Sequence, residues 1–273
     1  MDETSLTGEG SQKVEYLVVC VIALVASGLT LFSGFGLGTV LMPAFALFFP
    51  LPVAIAATAV VHLANNLFKV GLVGRNANWS VVLRFALPAA LAAFAGAALL
   101  HVFAGASPLF TYNLAGRTMD VTLLKLVIGF LIVGFALLEL WPAFNTLSLD
   151  RKYLPVGGLL SGFFGGLSGN QGALRSAFLI KAGLTKEAFI GTGAVSTVIV
   201  DTARLMVYGI GFYSVHFSGV RDIWPLVLAA SAAAFAGAFI GKRLVDKVTF
   251  KSVQVLVGVL LVMVGVGMMA GVI

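Results

Sequence analysis

Three basic residues lie inside long apolar segments, where few groups are available to solvate a charge. They are Lys69, Arg175 and Arg204. A charge at the centre of an apolar membrane helix costs about 2.5 to 3.5 kcal/mol on insertion scales, so each needs a partner or a role. Asp201 precedes Arg204 by three residues and shares its helical face, so an ion pair within the helix is an alternative to ligand binding. Arg175 has no acidic residue within one turn, which leaves an anion or the membrane interface.

The polar run before Arg175 predicts an anion site. Ser168, Gly169, Asn170 and Gln171 stand where a helix is expected to begin. The first N–H groups of a helix are unpaired and its dipole is positive there, while glycine lets the backbone approach a ligand. A guanidinium fork suits several oxygens around one centre. We therefore expect Arg175 and Arg204 to carry the negative charge of a ligand, with these polar groups orienting its oxygens.

The first half of the chain holds a second polar face. His62, Asn65, Asn66 and Lys69 fall on or near one side of a helix that follows a glycine break containing Gly36 and Gly38. The four residues of this face, together with Gly36 and Gly38, complete the predicted binding set. With a one-residue slip after Thr58, Asn66 and Lys69 align with Asp201 and Arg204. In the alternative interpretation, His62 and the asparagines join neighbouring helices, at about 0.6 kcal/mol per contact.

The elements that position these residues must be membrane helices. Of the 273 residues, 60% are hydrophobic and 10% charged, against about 25% charge in a soluble domain. Continuous apolar runs do not show the period of two that β-barrel strands require. The sequence therefore predicts an all-α polytopic membrane protein. The apolar stretches are residues 16–33, 37–49, 53–73, 81–103, 123–144, 153–166, 173–182, 188–210, 223–240 and 253–273.

An internal repeat divides these stretches into two sets of five. The string Ala-Ala-Phe-Ala-Gly-Ala occurs at residues 92–97 and again at 233–238. We predict an N-terminal tail at 1–15, a first repeat at 16–148 and a second at 149–273, each repeat being about 130 residues long. Each contains a glycine-broken helix pair, which either spans the membrane or re-enters, and three transmembrane helices.

The loop charges predict how the two repeats are oriented. Ten basic residues fall on one side of the membrane, which is therefore cytoplasmic, and four on the other. Both termini are then extracytoplasmic, and each repeat crosses an odd number of times, so the repeats are inverted. Inverted repeats with broken helices are typical of secondary transporters. The basic residues assigned to the outside are Lys13, Arg117, Lys125 and Arg221. Those assigned to the cytoplasmic side are Arg75, Arg84, Arg151, Lys152, Lys181, Lys186, Lys242, Arg243, Lys247 and Lys251.

The sequence gives little support for an enzyme. His62, His101 and His216 are too far apart for a local metal motif, and neither a paired-cysteine site nor a phosphate-binding loop is present. We expect no catalytic residues, no metal and no cofactor. The Gly-x-x-x-Gly spacings at Gly158 and Gly162, and at Gly237 and Gly241, are instead typical of close helix packing.

Several of these motifs resemble a known family. Residues 34–38 followed by Pro43, residues 165–172, and residues 185–188 leading to Thr192 are similar to the paired signatures of the TauE/SafE family of sulfite and organosulfonate exporters. The resemblance implies a bacterial membrane permease with four plus four helices. It also implies a sulfur oxyanion, such as sulfite or a small organosulfonate, as substrate.

We therefore expect a multi-pass protein of the bacterial inner membrane that exports such anions by alternating access around a site near the midplane. Its partners would be the anion and the lipid bilayer, without nucleic acid; a homodimer stays open. The alternatives are a passive anion channel, a permease for another small organic anion, and a membrane assembly subunit without a substrate. If transport is linked to protons, Asp201 or His62 would carry the proton.

Overall fold

The structure is a computed structural model that describes residues 3–29, 36–145, 149–213, 223–244 and 251–273. The first glycine break before Gly36, and the predicted loop residues His216, Arg221 and Lys247, lie outside these ranges. The helices are α1 Glu3–Leu29, α2 Leu37–Ala46, α3 Leu51–Val73, α4 Trp79–Ala104, α5 Leu123–Leu140, α6 Pro142–Asn145, α7 Leu154–Ser168, α8 Gly172–Leu179, α9 Lys186–Tyr213, α10 Ile223–Leu244 and α11 Lys251–Met269.

The predicted helical membrane fold is confirmed. In the described part of the chain, five segments are long and apolar enough to cross a bilayer: Leu51–Asn76, Trp79–Ala104, Leu123–Leu140, Lys186–Gly209 and Ile223–Gly241. On α4, Leu83, Leu87 and Leu91 are exposed at four-residue intervals. This spacing gives the helix one apolar outer face, as expected of a helix that contacts lipid.

Glycine contacts bring helices from the two halves together in parallel. Gly158, Gly162 and Gly166 of α7 lie against the backbone of Phe85, Ala89 and Ala93 of α4, in that order. In α10, Gly237 and Gly241 lie in the same way against Leu24 and Gly28 of α1. Residue numbers rise together in each pair, so both pairs are parallel. The prediction that the Gly-x-x-x-Gly spacings serve close helix packing is confirmed.

Two other pairs of helices are antiparallel. His62 of α3 contacts Asp201 of α9, and the carbonyl of Val73, at the end of α3, lies against Gly191. Gly129 of α5 packs on Gly265 of α11, while Leu140 reaches Gly258. In both pairs, residue numbers rise along one helix as they fall along the other.

The short helices α7 and α8 fold back on each other. These helices have 15 and 8 residues, or about 22 and 12 Å, against a hydrocarbon core of about 30 Å. The ring of Phe178, near the end of α8, lies against Gly157, near the start of α7. The N–H of Leu149, which precedes α7, donates to the carbonyl of Ala177 at 3.3 Å. The chain thus leaves α8 beside the point where it entered α7, as the re-entrant arrangement would require.

A β-hairpin adds to the predicted all-α fold. Strands β1 Phe110–Leu114 and β2 Arg117–Val121 pair antiparallel around Ala115 and Gly116, whose φ angles are 51° and 78°. Positive φ at both turn residues is the type I′ geometry that suits the strand twist. The hydroxyl of Tyr112 donates to the carbonyl of Ala270, so the hairpin holds the chain just beyond α11.

The first helix begins earlier than the apolar pattern indicates. α1 starts at Glu3, so the segment predicted as a tail at residues 1–15 is largely continuous with the first membrane helix. Its location outside the cytoplasm stays a prediction. The predicted join between the repeats includes residues 146–148, which lie outside the described residues.

Candidate functional site

One stripe of side chains on α9 forms the base of the candidate site. Thr197, Asp201, Arg204 and Tyr208 follow one another at intervals of four, three and four residues, which places them on one helical face. All four are buried, and Asp201 and Arg204 have no exposed surface. The stripe faces α3 on one side and the break between α7 and α8 on the other, as the following contacts show.

The carboxylate of Asp201 joins three elements. Its Oδ2 lies 2.7 Å from Nδ1 of His62 on α3, and its Oδ1 lies 2.8 Å from Nη2 of Arg204. The side-chain amide of Gln171, in the break, donates to Oδ1 at 3.4 Å. The ion pair expected between Asp201 and Arg204 is therefore formed, and His62 and Gln171 are brought to the same carboxylate.

Arg204 also stabilises the end of α7. Its Nη1 donates to the carbonyl of Gly165 at 3.3 Å, and the hydroxyl of Tyr208 donates to the carbonyl of Gly166. Gly169 ends the helix with a φ of +81°, and a Cβ there would lie 2.9 Å from Nη1 of Arg204. A positive charge beside the carbonyl end of a helix complements the helix dipole. Glycine is required at residue 169 both by the backbone and by the guanidinium.

Arg175 lies in the first turn of α8 and is half-buried. Its Nη1 donates to the hydroxyl of Thr197, which in turn donates to the carbonyl of Gly193 at 2.8 Å. Within the described ranges, no carboxylate lies within ion-pair distance of this guanidinium. Arg175 is thus held in place by a neutral hydroxyl, and no described carboxylate pairs with it.

The predicted residues of the first half divide into two groups. His62 and Lys69 join Arg175, Asp201 and Arg204 in one group, which we call the cluster. Both are buried, and Lys69 lies close enough to Arg175 for their charges to repel. Asn65 instead accepts a hydrogen bond from the hydroxyl of Ser27 on α1 at 3.1 Å, which is the interhelical role named as the alternative. The amide of Asn66 donates to the carbonyl of His62, one turn earlier in its own helix, at 2.8 Å.

The start of α2 meets the second-half break. A Cβ at Gly38 would lie 3.3 Å from the carbonyl oxygen of Gly169 and 3.8 Å from the ring of His62. Gly36 precedes α2, and its carbonyl accepts a hydrogen bond from the N–H of Thr39 at 3.0 Å. Gly38 therefore belongs to the cluster, whereas the described contacts of Gly36 are with its own helix.

Ser168 and Asn170, at the break between α7 and α8, differ in whether their side-chain polar atoms form hydrogen bonds. The hydroxyl of Ser168 donates to the carbonyl of Phe164 at 3.0 Å and accepts the N–H of Asn170 at 3.4 Å. The side-chain amide of Asn170 is buried, and neither its nitrogen nor its oxygen has a hydrogen-bond partner among the described residues. Nε of Arg204 is likewise without one. These atoms are available to a ligand.

The cluster carries more positive than negative charge. Among the described residues, the guanidinium groups of Arg175 and Arg204 stand against one carboxylate, that of Asp201, to which His62 is also bonded. A buried surplus of cations beside unused hydrogen-bond donors can hold a small anion. Among the described residues, no three His, Cys, Asp or Glu side chains lie close enough together to hold a metal ion.

Sequence reasoning missed Thr197 and Tyr208. The signal was present, because both share the helical face of Asp201 and Arg204, at one turn before and one turn after that pair. Neither is charged, and a threonine or tyrosine in an apolar segment is common enough that only its contacts identify its role.

Comparison with known proteins gives one family. The family model described as "Sulfite exporter TauE/SafE" matches residues 19–268, which include every residue of the cluster. No curated protein matches the chain.

Proposed function

The chain belongs to the TauE/SafE sulfite exporter family, and from this premise we propose that it is a secondary transporter of small sulfur oxyanions, either sulfite or small organosulfonates. As a member of this family it is a membrane transporter and not an enzyme. The observation that carries the proposed substrate class is the surplus of buried positive charge around the α7–α8 break.

The charge balance favours an anion over a neutral substrate. No described carboxylate lies within ion-pair distance of Arg175, and an uncompensated charge is costly to bury. An anion between Arg175 and Arg204 offsets this cost, and the start of α8 adds the positive end of its dipole. Ser168, Asn170 and Gln171 then orient the oxygens, with Gly169 and Gly38 allowing close approach of the backbone.

The helix pairing supports inverted repeats and alternating access. In each half, the first helix packs in parallel on the fourth helix of the other half: α1 on α10, and α7 on α4. The corresponding third helices, α3 and α9, cross antiparallel, as do the fifth helices α5 and α11. A two-fold axis in the membrane plane would produce this pattern, and the cluster lies where α3 and α9 meet.

The same pairing agrees with the proposed orientation. The loops after α3 and α8 lie on the side assigned to the cytoplasm, and the hairpin of β1 and β2 lies on the other. The proposal includes a location in the inner membrane of a bacterium, with both termini outside. The family as such supports only a multi-pass membrane protein, so the orientation is part of the proposal.

The proposal is tested by binding and transport with purified protein. The expected result is saturable binding of sulfite or ethanesulfonate that Arg175→Ala abolishes or weakens at least about tenfold, the size expected from loss of one charge-assisted contact. Arg84→Ala is the matched control, because it removes an exposed arginine of α4 from outside the cluster. Equal affinity in wild type and folded Arg175→Ala would contradict the assigned site.

A passive channel predicts a different result in liposomes. A carrier accelerates exchange of labelled for unlabelled anion and saturates, whereas a channel conducts ions without such counterflow. Labelled counterflow and electrical recording on the same reconstituted protein therefore separate the two. Conduction without counterflow would overturn the transporter mechanism while leaving the anion site intact.

A further inference from the structure

The side chain of Asn170 has an unused acceptor as well as an unused donor. Asn170 is 3% exposed, and neither polar atom of its amide has a hydrogen-bond partner within the described part of the chain. A buried polar group without a hydrogen-bond partner is destabilising, so both atoms would gain from a ligand that bonds to them. The two neighbours of Asn170 face the cluster: a Cβ at Gly169 would lie 2.9 Å from Nη1 of Arg204, and Gln171 donates to Asp201.

The two atoms of the amide require different ligand groups. The nitrogen donates, and it matches an oxygen of a sulfonate or sulfite anion. The carbonyl oxygen only accepts, and an anionic oxygen placed against it would be repelled. A bare oxyanion therefore satisfies half of Asn170. A ligand that satisfies both halves must carry its own hydrogen-bond donor beside the charged group.

The surrounding charges decide which donor this is. An ammonium group on the ligand would enter a cluster that already holds Lys69, Arg175 and Arg204. The carboxylate of Asp201 offers it little, because His62, Arg204 and Gln171 already occupy its two oxygens. A hydroxyl group donates a hydrogen bond without adding positive charge, so it fits where an ammonium group does not.

We propose that Asn170 determines specificity by accepting a hydrogen bond from a substrate hydroxyl, so that the preferred ligands are sulfonates bearing a hydroxyl group close to the sulfur. This inference rests on the proposed function, since it assigns the sulfonate of the same ligand to Arg175 and Arg204. It goes further in ranking anions of equal or similar size by the group they carry.

Three small sulfonates test the ranking by calorimetric titration of the purified full-length protein. 2-Hydroxyethanesulfonate is expected to bind at least about tenfold more tightly than ethanesulfonate, as one added hydrogen bond would give. 2-Aminoethanesulfonate, with its ammonium group, is expected to bind most weakly. Absence of the hydroxyl preference in wild type overturns the inference without any variant being needed.

Variants then assign the preference to one side chain. Asn170→Leu keeps the approximate volume and removes both polar atoms, and Asn170→Ala is the second variant if the leucine protein is not monodisperse. In either, the ratio of affinities for the hydroxylated and plain sulfonates should fall to about one. Ser196→Ala is the control, because it removes a different buried polar group without a described hydrogen-bond partner, the Ser196 hydroxyl, and it should keep the wild-type ratio.

The outcomes separate the two proposals. Binding of all three sulfonates with equal affinity refutes the role of Asn170 and leaves the anion site standing. A hydroxyl preference that persists in Asn170→Leu or Asn170→Ala also refutes it, since another group then accepts the hydrogen bond. Failure of wild type to bind any of the three sulfonates or sulfite refutes both this inference and the proposed function.

Discussion

His62 and Asp201 lie 139 positions apart in the chain, yet their side chains meet at 2.7 Å in the buried centre of the molecule. The contact joins α3 of the first half to α9 of the second. Other described charged or polar groups around this pair include Arg204, Gln171, Lys69, Arg175 and Tyr208. A movement of one half against the other must therefore stretch or break a contact that contains two titratable groups.

This contact predicts that anion affinity depends on pH. An anion that binds Arg204 withdraws positive charge from Asp201, which favours uptake of a proton by the His62–Asp201 pair. By linkage, added protons then favour the anion, so affinity should rise as the pH falls from about 8 to about 5.5. Ethanesulfonate is the probe, because it stays ionised over this range.

Two variants locate the group responsible. Asp201→Asn should remove most of the pH dependence, while Glu139→Gln, which neutralises a buried carboxylate of α5, should retain it. The measurement is the dissociation constant for ethanesulfonate at several pH values in each folded protein. A profile in Asp201→Asn that matches the wild type would show that Asp201 stays ionised throughout and has no part in coupling.

Gly169 and Gly183 provide a matched pair for the left-handed backbone. Both have positive φ, +81° and +71°, but a Cβ at Gly169 would approach the Arg204 guanidinium whereas at Gly183 it would meet nothing. Alanine at either position should cost about 1–2 kcal/mol in backbone strain. Only Gly169→Ala should also weaken anion binding, because it displaces Arg204.

Thermal unfolding and anion titration of the two alanine variants measure these effects separately. Similar losses of stability with affinity lost only in Gly169→Ala are expected. If Gly183→Ala weakens binding as much as Gly169→Ala does, the contact between Gly169 and Arg204 has no specific role in the site.

Helix contacts give a prediction about folding. A Cβ at Gly162 would overlap the backbone of Ala89, whereas at Gly134, on α5, it would meet nothing within 4 Å. Gly162→Ala should therefore force α7 away from α4 and reduce the yield of monodisperse protein. Gly134→Ala should leave the yield unchanged or raise it, since alanine is favoured over glycine in helices by about 1 kcal/mol. Size-exclusion chromatography after identical purification is the measurement, and equal yields would argue against close packing of α4 and α7.

Membrane orientation is tested by cysteine labelling in a Cys20→Ser background. Cysteines replacing Arg75 and Lys152 should react with an impermeant reagent only from the cytoplasmic side, and a cysteine replacing Arg117 only from the outside. Arg75 and Lys152 should lie on the same side because α4 and α5 each cross the membrane once between them. Labelling of these two from opposite sides would refute the proposed orientation.

The helical membrane fold could be predicted from the sequence, because continuous apolar runs are compatible with few other structures. The sequence also placed charges near the centre, since Lys69, Arg175 and Arg204 cannot be explained as loop residues. The sequence could not predict the contact of His62 with Asp201, because spacing along one helix does not report which face of another helix it meets. For the same reason, the sequence could not show that Asn65 bonds to Ser27 whereas His62, on the same helix, contacts Asp201.

The hairpin of β1 and β2 was missed for a different reason. Its strands have five residues each, and its turn is Ala115-Gly116 rather than the Asn-Gly that most strongly signals a type I′ turn. A contact outside the hairpin helps to fix it, namely the hydrogen bond from Tyr112 to the carbonyl of Ala270. Such long-range support leaves no local pattern in the sequence.

The parallel packing of α1 on α10 has a consequence for biosynthesis. The glycines of α10 that receive Leu24 and Gly28 are synthesised roughly 200 residues after them, which at about 5–20 residues per second takes about 10–40 s. Throughout that interval, the face of α1 that contains Leu24 and Gly28 has lipid or an insertion factor as its neighbour instead of α10. Slowing of the ribosome between α1 and α10 would lengthen this exposure and should raise the fraction of newly made chains that is degraded.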